Sequence, residues 1–223
     1  MTPKVKICGL KTDAALDAAI ESGADFVGFV FYPPSPRSLS PAAAGKLAAR
    51  SRGRARSVAL VVDADDALID RIVQDMQPDL FQFHGEETPE RVAEVAQRFA
   101  TPIIKAIAIR EAGDAGAALA YKDSVEFVLF DAKAPPTLAG ALPGGNGLSF
   151  DWHLLDTVRG RIRYMLSGGL TAENVAEAVR LTQPFAVDVS SGVETKPGEK
   201  SPDLIRRFIA AAKPARTAAP THA

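Results

Sequence analysis

Short runs of β-branched and aromatic residues alternate with alanine-rich segments along the whole of this 223-residue chain. The runs begin at Val5, Phe26, Val58, Leu80, Ile103, Phe127, Tyr164 and Phe185, each bounded by Gly, Pro, Asp or Ser. Near-continuous apolar runs between turn residues are the pattern of strands buried on both faces, as in parallel sheets. Ser40-Pro41, Thr88-Pro89 and Ser201-Pro202 each place a capping hydroxyl ahead of a proline at the first helical position. Thr171 is a similar cap before Ala172-Glu173-Asn174-Val175. Two helix slots carry little signal: the fifth, from Gly113 to Ala120, and the sixth, near Trp152.

Strands each followed by a helical segment predict an α/β fold, a single (β/α)8 TIM barrel with a parallel, eight-stranded sheet. An open doubly wound sheet is the structural rival. No Gly-x-Gly-x-x-Gly turn follows the first strand, which weakens the nucleotide-binding version of that rival. No linker divides the chain. We expect one domain over residues 1–213 and a frayed tail, rich in Ala, Pro and Thr, over 214–223.

Composition narrows the function classes. An apolar content of 47% supports a real core, and 26 basic against 27 acidic residues argue against a broad nucleic-acid surface. A small basic pocket for one phosphate stays compatible with that balance. A single cysteine, Cys8, makes no internal disulfide and so points to no oxidising compartment. No apolar signal region precedes the first strand, and no apolar stretch is long enough for a bilayer. The expected setting is the cytoplasm, away from membranes.

In such a barrel the chemistry collects at the C-terminal ends of the strands. Those ends carry Cys8, Arg37 in the loop after the second strand, His84, Asp131, Ser167-Gly168-Gly169 and Asp188-Val189-Ser190-Ser191-Gly192. Period-two alternation puts Lys6 with Cys8, Gln82 with His84, and Ala186 with Asp188 and Ser190 on shared strand faces. If those faces point inward, their polar groups meet at one mouth. Glycine turns let backbone N–H groups approach a phosphate, and the loops after strands seven and eight are the usual place for that cradle. Gly144-Gly145-Asn146-Gly147 is placed to close over it.

Each residue alone also has a plainer reading. Cys8 is then a small core residue, and Asp131 an ion-pair partner of Lys6 or Lys105. His84 becomes a hydrogen-bonded core histidine, Arg37 a solvated loop charge, and Asp188 with the glycines a set of tight turns. Asp63, Asp65 and Asp66 read as a loop and helix start rather than a metal site.

The order and spacing of several motifs go further. They are Lys6-Ile7-Cys8-Gly9, Phe29-Val30-Phe31-Tyr32-Pro33-Pro34-Ser35-Pro36-Arg37, Phe81-Gln82-Phe83-His84-Gly85, Phe130-Asp131, Gly144-Gly145-Asn146-Gly147, Ser167-Gly168-Gly169-Leu170 and Val187 through Glu194. From about Val5 to Phe208 the chain closely resembles the phosphoribosylanthranilate isomerase family of tryptophan biosynthesis. The resemblance implies an Amadori rearrangement of an aminoaldose phosphate, with Cys8 as general base and Asp131 as general acid. It gives Arg37 the anthranilate carboxylate, Asp188 the ribose hydroxyls, and His84 a binding or orienting role. Phosphate contacts fall to Gly144, Gly145, Ser167, Gly168, Gly169, Ser190, Ser191 and Gly192. Neither a metal nor an organic cofactor is implied, and the partner is the small phosphosugar substrate, in a monomer or a homodimer.

Those roles require Asp131 to hold a proton near neutrality and Cys8 to ionise readily, with Lys6 favouring the thiolate. The loop around Lys133-Ala134-Pro135-Pro136 is expected to help cover the substrate. Ser167 stands where the family pattern has alanine, Asn146 where threonine is commoner, and Ser201 where aspartate is expected. Two rivals remain. Another phosphosugar isomerase or epimerase of the metal-dependent kind needs several ligating histidines, and only His84, His153 and His222 exist. A non-catalytic phosphosugar-binding barrel has no need of the Cys8 and Asp131 pair.

Overall fold

All eight apolar runs become strands, and they pair in chain order until the last meets the first. In this computed structural model, which describes residues 2–135, 137 and 142–213, the barrel consists of β1 (Lys4–Cys8), β2 (Phe26–Phe31), β3 (Arg56–Val61), β4 (Leu80–Phe83), β5 (Ile103–Ile109), β6 (Phe127–Ala132), β7 (Tyr164–Leu166) and β8 (Ala186–Val189). Every neighbour pairing is parallel, and β1 closes on β8 with Lys6 opposite Asp188. Closure rules out the open doubly wound sheet. The tail 214–223 and Pro136, in the loop expected to cover the substrate, lie outside the described residues.

The outer layer carries α1 (Asp13–Glu21), α2 (Pro41–Ser51), α3 (Asp66–Met76), α4 (Pro89–Phe99), α5 (Val175–Thr182) and α6 (Pro202–Ala212). Ser40, Thr88 and Ser201 cap α2, α4 and α6 by accepting from the N–H three residues on, each with proline next in line. Asp65 caps α3 in the same way, so the acidic cluster at 63–66 is a helix start. The two weak slots fold as 3-10 helices, Asp114–Tyr121 and Trp152–Val158. Thr171 does not cap α5 directly. Its hydroxyl accepts from Glu173 in a preceding turn, Asn174 Oδ1 accepts from the Thr171 N–H, and the helix starts only at Val175. A feature unforeseen in the sequence is the hairpin of β9 (Glu194–Lys196) and β10 (Glu199–Lys200), inserted between β8 and α6.

Strand alternation sorts the core. Outward residues such as Val5, Ile7, Val27, Phe29, Phe81, Phe83, Val128, Phe130 and Val187 pack under the helices. Inward residues Phe26, Val58, Leu80, Ile104, Leu129, Met165 and Ala186 fill the lower barrel as a second cluster. Phe127 and Phe185 stack with centroids 4.7 Å apart, and the Arg163 guanidinium lies 3.7 Å over Phe185, closing the N-terminal end. One layer higher the inward positions turn polar, and that is where the site begins. Among the described residues no helix is long and apolar enough to cross a membrane.

Candidate active site

A cavity opens at the C-terminal mouth of the barrel. Cys8 from β1, Gln82 and His84 from the end of β4, Asp131 from β6 and Asp188 from β8 all line it, together with Arg37, Ser167, Gly168, Gly169, Ser190 and Ser191. Gly144 to Leu148 form one wall. The alternation argument therefore holds: the three polar strand faces do point to a common mouth.

Below Cys8 lies Lys6, fully buried, whose Nζ donates to Asp188 Oδ1 at 2.8 Å. Burial opposes the Lys6 charge, but Asp188 and Cys8 outweigh it and hold the ammonium above its ordinary range. Burial pushes the Cys8 thiol up, against the pull of Lys6 and Lys200, and the Asp188 carboxylate adds to the rise. The expected help from Lys6 is thus present and insufficient, because its charge is already committed to Asp188. Room for the arrangement comes from Gly28 on β2, opposite Cys8 in register. A Cβ there would stand 3.0 Å from Cys8 Sγ and 3.3 Å from Lys6 Nζ.

Asp131 is buried and makes no ion pair with lysine or arginine among the described residues. Lys6 is taken by Asp188, and Lys105 by Glu87 at 3.0 Å on the outside of the barrel wall. The ion-pair reading of Asp131 therefore falls. Its Oδ1 accepts from the Ala132 N–H at 2.9 Å, and Oδ2 lies 3.4 Å from His84 Nε2. Gln82, wholly buried, places its Nε2 2.9 Å from His84 Nδ1. The Gln82 amide thereby orients the imidazole, with Nε2 facing Asp131.

The glycine turns divide between two tasks. Gly168 and Gly169 adopt positive φ, +89° and +63°, and among the described residues no acceptor is paired with their N–H groups. A Cβ at Gly169 would meet the backbone of Leu148 and Ser149 at 2.9 Å, so this turn and the wall loop touch. Gly192 does not reach the cavity; its backbone packs on Leu170, whose oxygen would lie 2.0 Å from an added Cβ. Gly144 and Gly145 lie against side chains of the mouth. A Cβ on Gly144 would be 2.6 Å from both Asp131 Oδ2 and His84 Nε2, and one on Gly145 would be 2.7 Å from Arg37 Nη1. In that loop Gly147 is the glycine beside Ser191.

Arg37 is not the solvated loop charge of the plainer reading. Its side chain is 6% exposed, and its Nε and Nη2 both donate to the Glu194 carboxylate at 2.8 Å. Lys200 donates to the same carboxylate at 2.6 Å and to the Ser190 carbonyl and hydroxyl oxygens at 2.9 and 3.1 Å. Burial would raise the Glu194 carboxyl, but the hydrogen bonds and charges of Arg37 and Lys200 hold it below the usual carboxylate range. Gln82, Glu194 and Lys200 were assigned no role from the sequence. Glu194 at least ends a motif that carries the resemblance, whereas nothing local to Lys200 announces its burial. Among the described residues no three His, Cys, Asp or Glu side chains gather as metal ligands would.

Burial lowers the Lys200 ammonium to about 8, with Glu194 opposing and Arg37 adding to the fall. An unfolded lysine keeps its proton to about pH 10.4, so between those values the unfolded chain binds more protons and this group's contribution to stability rises with pH. Below both values the burial cost of the charge is present in full. Urea unfolding at about pH 7.5 and about pH 9.5 is expected to show the wild type gaining about 1–2 kcal/mol relative to Lys200→Met. An unchanged difference would show that Lys200 is not depressed.

Comparison with known proteins finds similarity over nearly the whole chain. Residues 5–211 match the family model described as N-(5'phosphoribosyl)anthranilate (PRA) isomerase. The N-(5'-phosphoribosyl)anthranilate isomerase of Parvibaculum lavamentivorans is 51% identical over 213 residues, covering 96% of this chain and 99% of that one. The Thermotoga maritima phosphoribosyl anthranilate isomerase superimposes with a TM-score of 0.85 at 39% identity, covering 95% of this chain and 98% of the other. A phosphoribosyl anthranilate isomerase solved in complex with reduced 1-(o-carboxyphenylamino)-1-deoxyribulose 5-phosphate aligns with a TM-score of 0.82 at 37% identity over the same shares.

Proposed function

The chain belongs to the N-(5'-phosphoribosyl)anthranilate isomerase family, and from that footing we propose that Cys8 and Asp131 carry its reaction as general base and general acid. The reaction is the Amadori rearrangement of N-(5-phosphoribosyl)anthranilate to 1-(2-carboxyphenylamino)-1-deoxyribulose 5-phosphate, in tryptophan biosynthesis. What supports the residue assignment most is that both groups line one cavity while Asp131 has no lysine or arginine partner among the described residues.

Asp131 gives its proton to the ribose ring oxygen as the C1′–O bond breaks, leaving a ring-opened iminium conjugated with the aromatic ring. Cys8, as thiolate, takes the proton from C2′, and the electron pair left behind neutralises the iminium as an enolamine. Tautomerisation of the enolamine yields the amino-ketose. The enzyme thus starts with one proton on Asp131 and ends with one on Cys8. Arg37 holds the anthranilate carboxylate through Nη1, the guanidinium nitrogen that Glu194 does not engage, and Asp188, anchored by Lys6, accepts from ribose hydroxyls. Ser167, Gly168, Gly169, Ser190 and Ser191 take the phosphate, while Gly144 and Gly145 cover the reacting end and exclude water. His84, oriented by Gln82, lies beside the acid and orients it.

The test is turnover of freshly prepared N-(5-phosphoribosyl)anthranilate, followed by loss of substrate fluorescence. We expect conversion to the amino-ketose by the purified protein without added metal or cofactor. A folded protein that binds the reduced product analogue and converts nothing would overturn the reading in favour of a binding barrel.

A further inference from the structure

Arg37 meets its substrate with three of its five N–H donors already spent. The Nε and Nη2 edge of the guanidinium is bound to Glu194, and Nη2 also reaches the Gly145 carbonyl at 3.1 Å. The remaining nitrogen, Nη1, is the one turned toward the wall loop of the cavity. The stem is confined as well, since a Cβ on Gly9, at φ +79°, would lie 2.8 Å from Arg37 Cδ. A flexible arginine would lose much rotamer freedom on gripping a carboxylate; this one has lost it beforehand.

Glu194 is itself held. Lys200 donates to it from β10 and ties it to Ser190, whose hydroxyl donates to the Cys8 carbonyl at 3.3 Å. The turn of the same hairpin rests on the Arg37 loop: a Cβ on Gly198 would be 2.6 Å from the Pro36 oxygen. Arg37, Glu194 and Lys200 have side chains no more than 6% exposed. Two cations against one carboxylate leave one positive charge in excess, which suits a monoanionic carboxylate and no larger charge.

We propose that Glu194, anchored by Lys200 on the β9–β10 hairpin, is the positioning residue that aims Arg37 at the aromatic carboxylate of the substrate. The proposal rests on the reading of Arg37 as the carboxylate ligand given above. It assigns the hairpin a function: to carry a counter-charge across from β8 to the loop after β2, and so to select substrates that bear a carboxylate.

The experiment compares steady-state kinetics on N-(5-phosphoribosyl)anthranilate and on its carboxylate-free counterpart, N-(5-phosphoribosyl)aniline, for the wild type, Glu194→Gln and Arg37→Ala. Loss of one charge-assisted contact at this site is expected to raise KM for the natural substrate about 10–100-fold in Glu194→Gln. Its kcat should fall far less, and the preference over the aniline counterpart should drop by the same factor as KM rises. Equal losses on both substrates would make Glu194 a structural residue and overturn the proposal. If Arg37→Ala keeps the full preference for the carboxylate substrate, the underlying reading of Arg37 fails instead. Should Glu194→Gln not fold, Lys200→Met keeps the Arg37–Glu194 pair and removes only its anchor. A smaller rise in KM confined to the natural substrate is then expected, and no selective rise would overturn the proposal.

Discussion

Asp131→Asn is expected to lower kcat by about 10²–10⁴-fold while leaving affinity for the reduced product analogue within a few fold. Asparagine has the size of aspartate and retains an oxygen to accept from the Ala132 N–H, which holds the backbone at the end of β6 in place. The substitution removes the one thing the ring-opening step needs there, a transferable proton. His84 is the rival donor, because its Nε2 lies 3.4 Å from the same carboxylate oxygen. His84→Asn is therefore the partner measurement: if Asp131 is the acid, this variant loses much less than Asp131→Asn. The reverse ranking would hand the acid role to His84. Asp131→Asn retaining more than about a tenth of wild-type kcat would remove Asp131 from the chemistry altogether.

The barrel was legible because its strands are apolar runs hemmed by turn residues, and that signal is local. Each run begins within two residues of the strand it becomes. The helices were legible where a hydroxyl stands before proline, as at α2, α4 and α6, and the two slots that carry little signal of any kind fold as 3-10 helices. Thr171 misled because it carries the right side chain one turn too early, where Asn174 folds back on it. The hairpin at 194–200 is absent from the sequence reading, although Pro197-Gly198 is a turn signal in the chain.

The charges were the harder part. Lys6, Arg37, Glu194 and Lys200 look alike in a sequence, as solvated positions with long side chains. Their burial is a consequence of barrel closure, which brings Lys6 to Asp188 across 182 positions and Arg37 to Glu194 across 157. Strand alternation showed that Lys6 and Cys8 share a face, but the third member of that group arrives from the other end of the chain. The same limit explains Gly144 and Gly145: a glycine-rich loop announces close approach, and only the fold says to what.

Cys8→Ala is expected to lose about 10²–10⁴-fold in kcat, and Cys8→Ser nearly as much, since a hydroxyl is too weak an acid to stand in as base near neutrality. The further question is when the thiolate forms. Burial and Asp188 push the free thiol up despite Lys6 and Lys200, so alkylation of this sole cysteine by iodoacetamide is expected to be slow near neutral pH and to quicken beyond the ordinary thiol range of about 8.5. The productive form then holds its single proton on Asp131 and not on Cys8, although the free enzyme favours the thiol. A pair in that state is active only while it keeps one proton in all, so deprotonation at high pH stops turnover instead of promoting it. The alkaline fall of kcat/KM should therefore have its midpoint at the pH at which alkylation reaches half its full rate. A thiol already reactive below neutrality would mean that Lys6 serves Cys8 more than Asp188. An alkaline limb far from the alkylation midpoint would mean that the base is some other group.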